Sequence, residues 1–234
     1  MTLPPSIPST CLQPIIQPGS YFLPSTRLVC HESREYVAKG PIYSTRIYYD
    51  YQEIRNLVIL PPHPNIIPPP CALVTVSDID ERVCGFLAPH YRNGNLDIYA
   101  RRLRSKGTIT VEKLYKWLGQ LVDAVRFLAE KETWHGDIKP DNIVIDDDEN
   151  AVLIDLARAF TTSATTSPEA RKYISTHAPC RTSVGIPEDW PLQIVVLSEI
   201  YSIGRTMYLS AATVAVITVV ANVAASADIK FWFT

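Results

Sequence analysis

The stretch His135-Gly136-Asp137-Ile138-Lys139-Pro140-Asp141-Asn142, followed further on by Ile154-Asp155, sets an acid, a cation, an amide and a second acid at fixed intervals. Asp137 precedes Asn142 by five positions, and Asn142 precedes Asp155 by thirteen. These are the groups that phosphoryl transfer requires. That chemistry asks the protein for positioning and positive charge more than for covalent steps. In this reading Asp137 accepts the proton of an acceptor hydroxyl. Lys139, two residues on, neutralises the phosphate as it moves. The Asn142 carbonyl oxygen and the Asp155 carboxylate are hard ligands of the kind magnesium takes, the ion keeping its other positions for water and phosphate.

The neighbouring residues suggest how those groups are brought together. Ile143-Val144-Ile145 and Ala151-Val152-Leu153-Ile154 are short apolar runs on either side of Asp146-Asp147-Asp148-Glu149-Asn150. Two such runs across a polar turn predict a β-hairpin, which would return Asp155 to the side of Asn142. The turn lacks D-x-D-x-D-G spacing, so it reads as a solvated acidic turn and not as a calcium loop. His135 reads as a packed structural histidine, since Asp137 already fills the role of base.

This arrangement resembles the eukaryotic protein-kinase family at its catalytic-loop signature H-R-D-x-K-P-x-N and its magnesium-loop signature D-F-G. The resemblance runs from roughly Tyr36 to Tyr208. It implies an α+β, bilobal fold with a small β-rich N-lobe and a helical C-lobe that is incomplete here. Glu35-Tyr36-Val37-Ala38-Lys39-Gly40 resembles the V-A-I-K strand, so Lys39 would hold the α- and β-phosphates. Ile54, Leu57 and Leu60 recur at helical spacing. Glu53, beside that stripe, is the partner the resemblance implies for Lys39. His63-Pro64-Asn65-Ile66 looks like the turn after the family's C helix. Cys71 to Val76 and Val83 to Leu87 read as strands, leading to a linker over 88–93. Gly94-Asn95-Leu96 resembles the opening of the D helix. Thr110 reads as an N-cap. Leu114, Trp117, Leu118, Leu121, Val125 and Leu128 behind it form one apolar face, as in the E helix. Leu197 to Gly204 resembles the start of the F helix, with Glu199 where the family has an aspartate that anchors the catalytic-loop backbone.

The chain departs from the family at several points. Of its nine glycines only Gly19 lies upstream of Lys39, so a G-x-G-x-x-G loop over the phosphates is impossible. Gly19-Ser20-Tyr21 reads as a remnant of that hairpin. Gly136 replaces the arginine that pairs with a phosphorylated activation loop, which implies activity independent of such a phosphate. Asp155-Leu156-Ala157 replaces D-F-G and keeps the metal ligand. The segment from Arg158 to Trp190, rich in Ser, Thr and Pro, reads as a loop. Its end is either Ala178-Pro179-Cys180 or Ile186-Pro187-Glu188. From about Ser210 the resemblance stops. Thr206 to Ala227 carries no charge and is long enough to span a bilayer. A membrane anchor through 206–227 is therefore possible, although a truncated core helix is preferred.

The expected organisation is an irregular Pro-rich arm over 1–20, an N-lobe over 21–90, and a partial C-lobe over 91–234 ending in the apolar tail. A net charge of −2 gives no reason to expect nucleic acid. Five scattered cysteines without metal-ligand spacing point to an intracellular setting, cytoplasmic or nuclear. Membrane anchoring by the tail is the alternative. The resemblance implies ATP and Mg2+ as cofactors and a protein substrate. It implies a serine/threonine kinase in which Asp137 and Lys139 are catalytic. Lys39, Glu53, Asn142 and Asp155 would bind ATP, and Asn142 and Asp155 would hold the metal. A pseudokinase that acts as a binding scaffold is the rival reading, and a small-molecule phosphotransferase is a third.

Overall fold

The computed structural model describes residues 3–16, 25–40, 47–156, 166–177 and 191–211. They form two compact units, residues 1–63 with 67–91 and residues 64–66 with 92–234. The first is β-rich with one helix. The second is helical with one small hairpin. This is the α+β division expected.

The first unit is built on a six-stranded sheet. Its strands are β1 (Ser6–Pro8), β2 (Gln13–Pro14), β3 (Thr26–His31), β4 (Arg34–Lys39), β5 (Ala72–Thr75) and β6 (Val83–Pro89), in the order β1-β5-β6-β4-β3-β2. The N-terminal arm was expected to be irregular, but it supplies both edge strands. β1 runs parallel to β5, with Ile7 opposite Val74. β2 runs antiparallel to β3, with Gln13 opposite Cys30. A flat sheet of this order would separate its edges by about 24 Å, while the chain from Pro8 to Gln13 reaches about 18 Å at most. The sheet therefore has to curl. Pro8 and Pro14 lie in the two edge strands, where a residue without an N–H weakens further strand addition. Sequence reading missed these strands because proline depresses strand propensity. Ile7 and Leu12 of the arm pack on a cluster of Val29, Ala72, Val74 and Leu87.

Lys39 ends β4, opposite Thr26 on one side and Phe86 on the other. The two strands meet closely just beyond it. A Cβ on Gly40 would lie 2.6 Å from the Cys84 carbonyl oxygen, and one on Gly85 would strike the carbonyl oxygen of Lys39. Only glycine fits there. The helix α1 (Ile47–Ile59) differs from expectation in its buried face. Of the stripe Ile54, Leu57 and Leu60, only Leu57 is fully buried, at 2 % exposure. Asp50, Glu53 and Asn56, at successive intervals of three, are buried beside it. The inward face is thus mostly polar, which an apolar-periodicity rule does not register.

In the second unit α2 (Leu96–Ser105) starts at Asn95, whose side chain accepts the Ile98 N–H at 3.0 Å. Gly94 before it takes φ +76°, which favours glycine. Helix α3 (Val111–Glu130) is capped by Thr110, which accepts the Lys113 N–H at 3.3 Å. Its expected apolar face is buried throughout, with Trp117, Leu121 and Leu128 fully enclosed. The hairpin β7 (Ile143–Ile145) and β8 (Ala151–Leu153) pairs Ile143 with Leu153. α4 (Pro168–His177) and α3 both pack against α5 (Leu192–Ala211).

Helix α4 falls inside the segment expected to be a loop. The Ser167 hydroxyl accepts the Ala170 N–H at 3.1 Å, Pro168 takes the first helical position, and Glu169 lies in the first turn. Each favours a helix start, and all three were visible in Ser167-Pro168-Glu169. Among the described residues no helix is long and apolar enough to cross a membrane. The candidate span 206–227 lies outside them from residue 212 onward, as do Gly19 to Tyr21, Ala157 and both candidates for the end of the activation segment.

The Gly40–Gly85 contact yields a test. Gly85→Ala should lower the unfolding free energy in urea by about 1–3 kcal/mol, because the added methyl pushes β6 away from Lys39. An unchanged midpoint would mean that the strands have room to spare.

Candidate active site

In the second unit the loop from His135 to Asn142 connects the end of α3 to β7, and its backbone is held from below by one side chain. Glu199 of α5 accepts the Gly136 N–H at 2.8 Å and the His135 N–H at 3.2 Å. These two donors are buried, where a backbone amide needs a partner. The Glu199 side chain is 2 % exposed. Burial pushes its carboxyl up to about 7, and the charge of Asp137 adds to the rise, against the lowering effect of the two backbone hydrogen bonds. Gly136, where the family has arginine, takes φ +82°, a region that glycine enters freely. His135 is fully buried. Its Nδ1 accepts the Asp137 N–H at 3.2 Å, and its Nε2 lies 2.7 Å from the Ile154 carbonyl oxygen. These partners select the tautomer protonated at Nε2. The histidine is a brace, as its sequence context suggested.

Three of the candidate groups meet above that brace. Lys139 Nζ donates to Asp137 Oδ2 at 2.6 Å. Asn142 Nδ2 donates to the same oxygen at 3.0 Å and to the Asp137 backbone carbonyl at 2.9 Å. Both acceptors fix the orientation of the Asn142 amide, so its carbonyl oxygen is left for another ligand. Asp137 is 6 % exposed, and its Oδ1 is buried without a hydrogen-bond partner.

Asp155 enters by way of the hairpin. The residue before it is stapled to both ends of the loop, since the Ile154 N–H donates to the Asn142 carbonyl at 3.0 Å and the Ile154 carbonyl meets His135. Asp155 itself has φ +72°, a conformation that side-chain-bearing residues adopt rarely. Such local strain persists where surrounding contacts enforce it, and it concentrates at functional positions.

The hairpin is fastened on its far side as well. Asn65, from the His63-Pro64-Asn65-Ile66 turn, donates to the Ala151 carbonyl at 2.8 Å and accepts the Leu153 N–H at 2.9 Å. The acidic turn is more than a solvated loop. Asp147 and Asp148 are exposed, but the Glu149 carboxylate meets Lys113 and the Tyr99 hydroxyl. Hydrogen bonding from Lys113 and then from Tyr99 lowers the Glu149 carboxyl below its usual range. Trp117 Nε1 donates to the Glu149 carbonyl at 3.0 Å, and Gln120 Oε1 accepts the Ala151 N–H at 2.9 Å. Gln120 gave no signal in the sequence, and Asn65 showed only as part of a family-like turn, because each acts on backbone groups far away in the chain.

In the first unit, Lys39 Nζ and Glu53 Oε2 lie 2.5 Å apart, with side chains 14 % and 3 % exposed. A buried pair of this kind holds the lysine in one place, and loss of either partner strands the other charge. Among the described residues no cluster of three or more His, Cys, Asp or Glu side chains could hold a metal ion. Magnesium binds through one or two protein oxygens together with substrate phosphates. The free Asn142 oxygen and the Asp155 carboxylate fit that donor set.

Glu199 makes stability depend on pH in a definite direction. Its folded pKa, about 7, lies above its ordinary value of 4.5. Between those values the folded chain holds a proton that the unfolded chain releases, so this contribution is complete below pH 4.5 and declines as pH rises to about 7. The decline should be on the order of 3 kcal/mol. Glu199→Gln should flatten this part of the profile in urea denaturation at pH 5 and pH 8, and should also destabilise the fold, since its NH2 group faces an N–H donor. A variant with the wild-type pH slope would show that another group is responsible.

Residues 36–184 match the protein kinase domain. A CBL-interacting serine/threonine-protein kinase 10 from Arabidopsis thaliana is 39 % identical over 51 residues, which cover 22 % of this chain and 11 % of that protein. The aligned stretch is thus a small part of the relative's length. With the match to the family extending over more than half of the sequence, from the strand that carries Lys39 past Asp155, the chain belongs to the protein kinase domain family.

Proposed function

We propose that this chain is an ATP-dependent protein serine/threonine kinase, with Asp137 as the base. The observation that carries this reading is the unpartnered Oδ1 of Asp137. Leaving a buried carboxylate oxygen without a donor costs about 1–3 kcal/mol or more, and an acceptor hydroxyl supplies the missing hydrogen bond. Oδ2 is already committed to Lys139 and Asn142. The carboxylate is thereby oriented with one oxygen free to take a proton.

In this mechanism the substrate hydroxyl donates to Asp137 Oδ1 and its oxygen attacks the γ-phosphorus of ATP. The proton passes to Oδ1 and ADP leaves. Lys139 balances charge beside the transferring group. Asn142 and Asp155 would hold magnesium, which when bound supplies positive charge to the phosphates. Lys39, fixed by Glu53, would orient the α- and β-phosphates. A lysine two positions after the aspartate favours serine or threonine acceptors, on the resemblance to that branch of the family. The substrate is accordingly a protein. Cys11, Cys30, Cys71 and Cys84 are free thiols, which supports an intracellular, reducing setting.

Asp137→Asn keeps the shape of the side chain and removes its basicity. Incorporation of labelled phosphate into a generic serine/threonine protein substrate should fall by about 10²- to 10⁴-fold. Magnesium-dependent nucleotide binding should persist. Equal incorporation by both proteins would end the proposal. Nucleotide binding without turnover in either would favour a scaffold, and label confined to small hydroxyl compounds would favour a small-molecule phosphotransferase.

A further inference from the structure

The N-terminal arm clasps the sheet of the first unit by both edges, and its middle is fastened by two hydroxyl groups. Ser9 Oγ donates to the Val76 carbonyl at 2.6 Å. Thr10 Oγ1 donates to Asp78 Oδ1 at 3.1 Å. Both contacts tie the short 3-10 turn Ser9–Cys11, which links β1 to β2, to the β5–β6 connection. The pairings on either side of this turn are short. β1 contributes three residue pairs and β2 two, supplemented by the Leu73 N–H to Pro5 carbonyl bond at 2.8 Å and the Ile15 N–H to Leu28 carbonyl bond at 2.9 Å. Ile7 and Leu12 add partial burial on the sheet. A clasp with so few bonds is sensitive to what happens at its centre.

We propose that Thr10 is a phosphorylation site and that a phosphate there unfastens the arm. Thr10 and Asp78 are both exposed, so a modifying enzyme can reach the hydroxyl. The modification is an ordinary group transfer. The bond from the γ-phosphorus of a nucleoside triphosphate to its bridging oxygen breaks, the bond from phosphorus to Thr10 Oγ1 forms, the hydroxyl proton goes to the base of the transferring kinase, and the nucleoside diphosphate leaves. The product replaces a hydroxyl donor with a group of charge about −1.5 to −2 that only accepts hydrogen bonds. Its neighbour is a carboxylate, so an attractive contact becomes a repulsive one.

The surrounding charges do not offset this. Arg82, the nearby cation of the same connection, is bound to both oxygens of Asp80 through Nε and Nη2. Hydrogen bonding to Arg82 holds the Asp80 carboxyl down at about 2, so it is ionised throughout the physiological range. Glu81 adds another acid to the connection. On the other side His31 faces the Cys11 carbonyl at 3.5 Å and Glu32 at 4.0 Å. Release of the turn frees β1 and β2 together and leaves the β5 and β3 edges unpaired.

The Thr10–Cys11 junction makes the test direct. A synthetic thioester peptide of residues 1–10, carrying threonine or phosphothreonine at position 10, can be ligated to the expressed remainder beginning at Cys11. Hydrogen exchange of the two full-length products should show the Leu73 and Ile15 amides exchanging about tenfold or more faster in the phosphorylated chain. Asp78→Asn in the phosphorylated chain should restore most of the protection. Identical exchange in the two products, or failure of Asp78→Asn to restore it, would overturn the release. Phosphopeptide mass spectrometry of the chain from a eukaryotic host should find the phosphate on Thr10, and an unmodified Thr10 would overturn the site.

Discussion

A carboxyl group shut away from water holds the loop on which the candidate chemistry rests. Glu199 reaches from the middle of α5 to two consecutive backbone amides, those of His135 and Gly136. Loops seldom pass through protein interiors because their amides must find partners there. Here one side chain meets both, and the next residue in the chain is Asp137. The family's anchoring residue is an aspartate at this place, and the longer glutamate still makes the contact. Its raised pKa follows from burial and from the nearby Asp137 charge, so the anchor and the candidate base are electrostatically linked.

From that anchor the order of the loop spreads by short hydrogen bonds. His135 joins the Asp137 amide to the Ile154 carbonyl, and Asn142 joins the Asp137 carbonyl to the Ile154 amide. The hairpin is then pinned by Asn65 on one side and by Trp117 and Gln120 on the other. Every one of these partners is a polar group that would be costly to bury alone. A network of this kind is stable only when complete, and it specifies one conformation for that reason. Asp137 Oδ1 is buried without a hydrogen-bond partner, and there the proposed chemistry needs room for a substrate hydroxyl.

The first unit depends on a different constraint. Its sheet is narrow, and each edge would be open without the arm. Prolines, which made the arm look irregular in sequence, sit at both edges. Close approach of β4 and β6 at Gly40 and Gly85 fixes the end of the strand that presents Lys39 to Glu53. Both glycines are silent in sequence, because their role is defined only by what lies across the sheet.

Local chemistry was legible before any coordinates. The hairpin followed from two apolar runs around a polar turn, α3 from its apolar face and its Thr110 cap, and the cluster of Asp137, Lys139 and Asn142 from intervals of two and five along one loop. These features depend on residues close in the chain, whose geometry the backbone limits strongly. The start of α4 was legible too, in Ser167-Pro168-Glu169, but was hidden by the Ser- and Thr-rich sequence around it. Tertiary structure alone decided the burial of Asp50 and Asn56 on α1, the pairing of the arm with both sheet edges, and the hold of Asn65 and Gln120 on the hairpin. For the arm and the hairpin the deciding partner lies many residues away. Which distant groups meet depends on how the whole chain closes, and residue type and spacing along the sequence carry no measure of that.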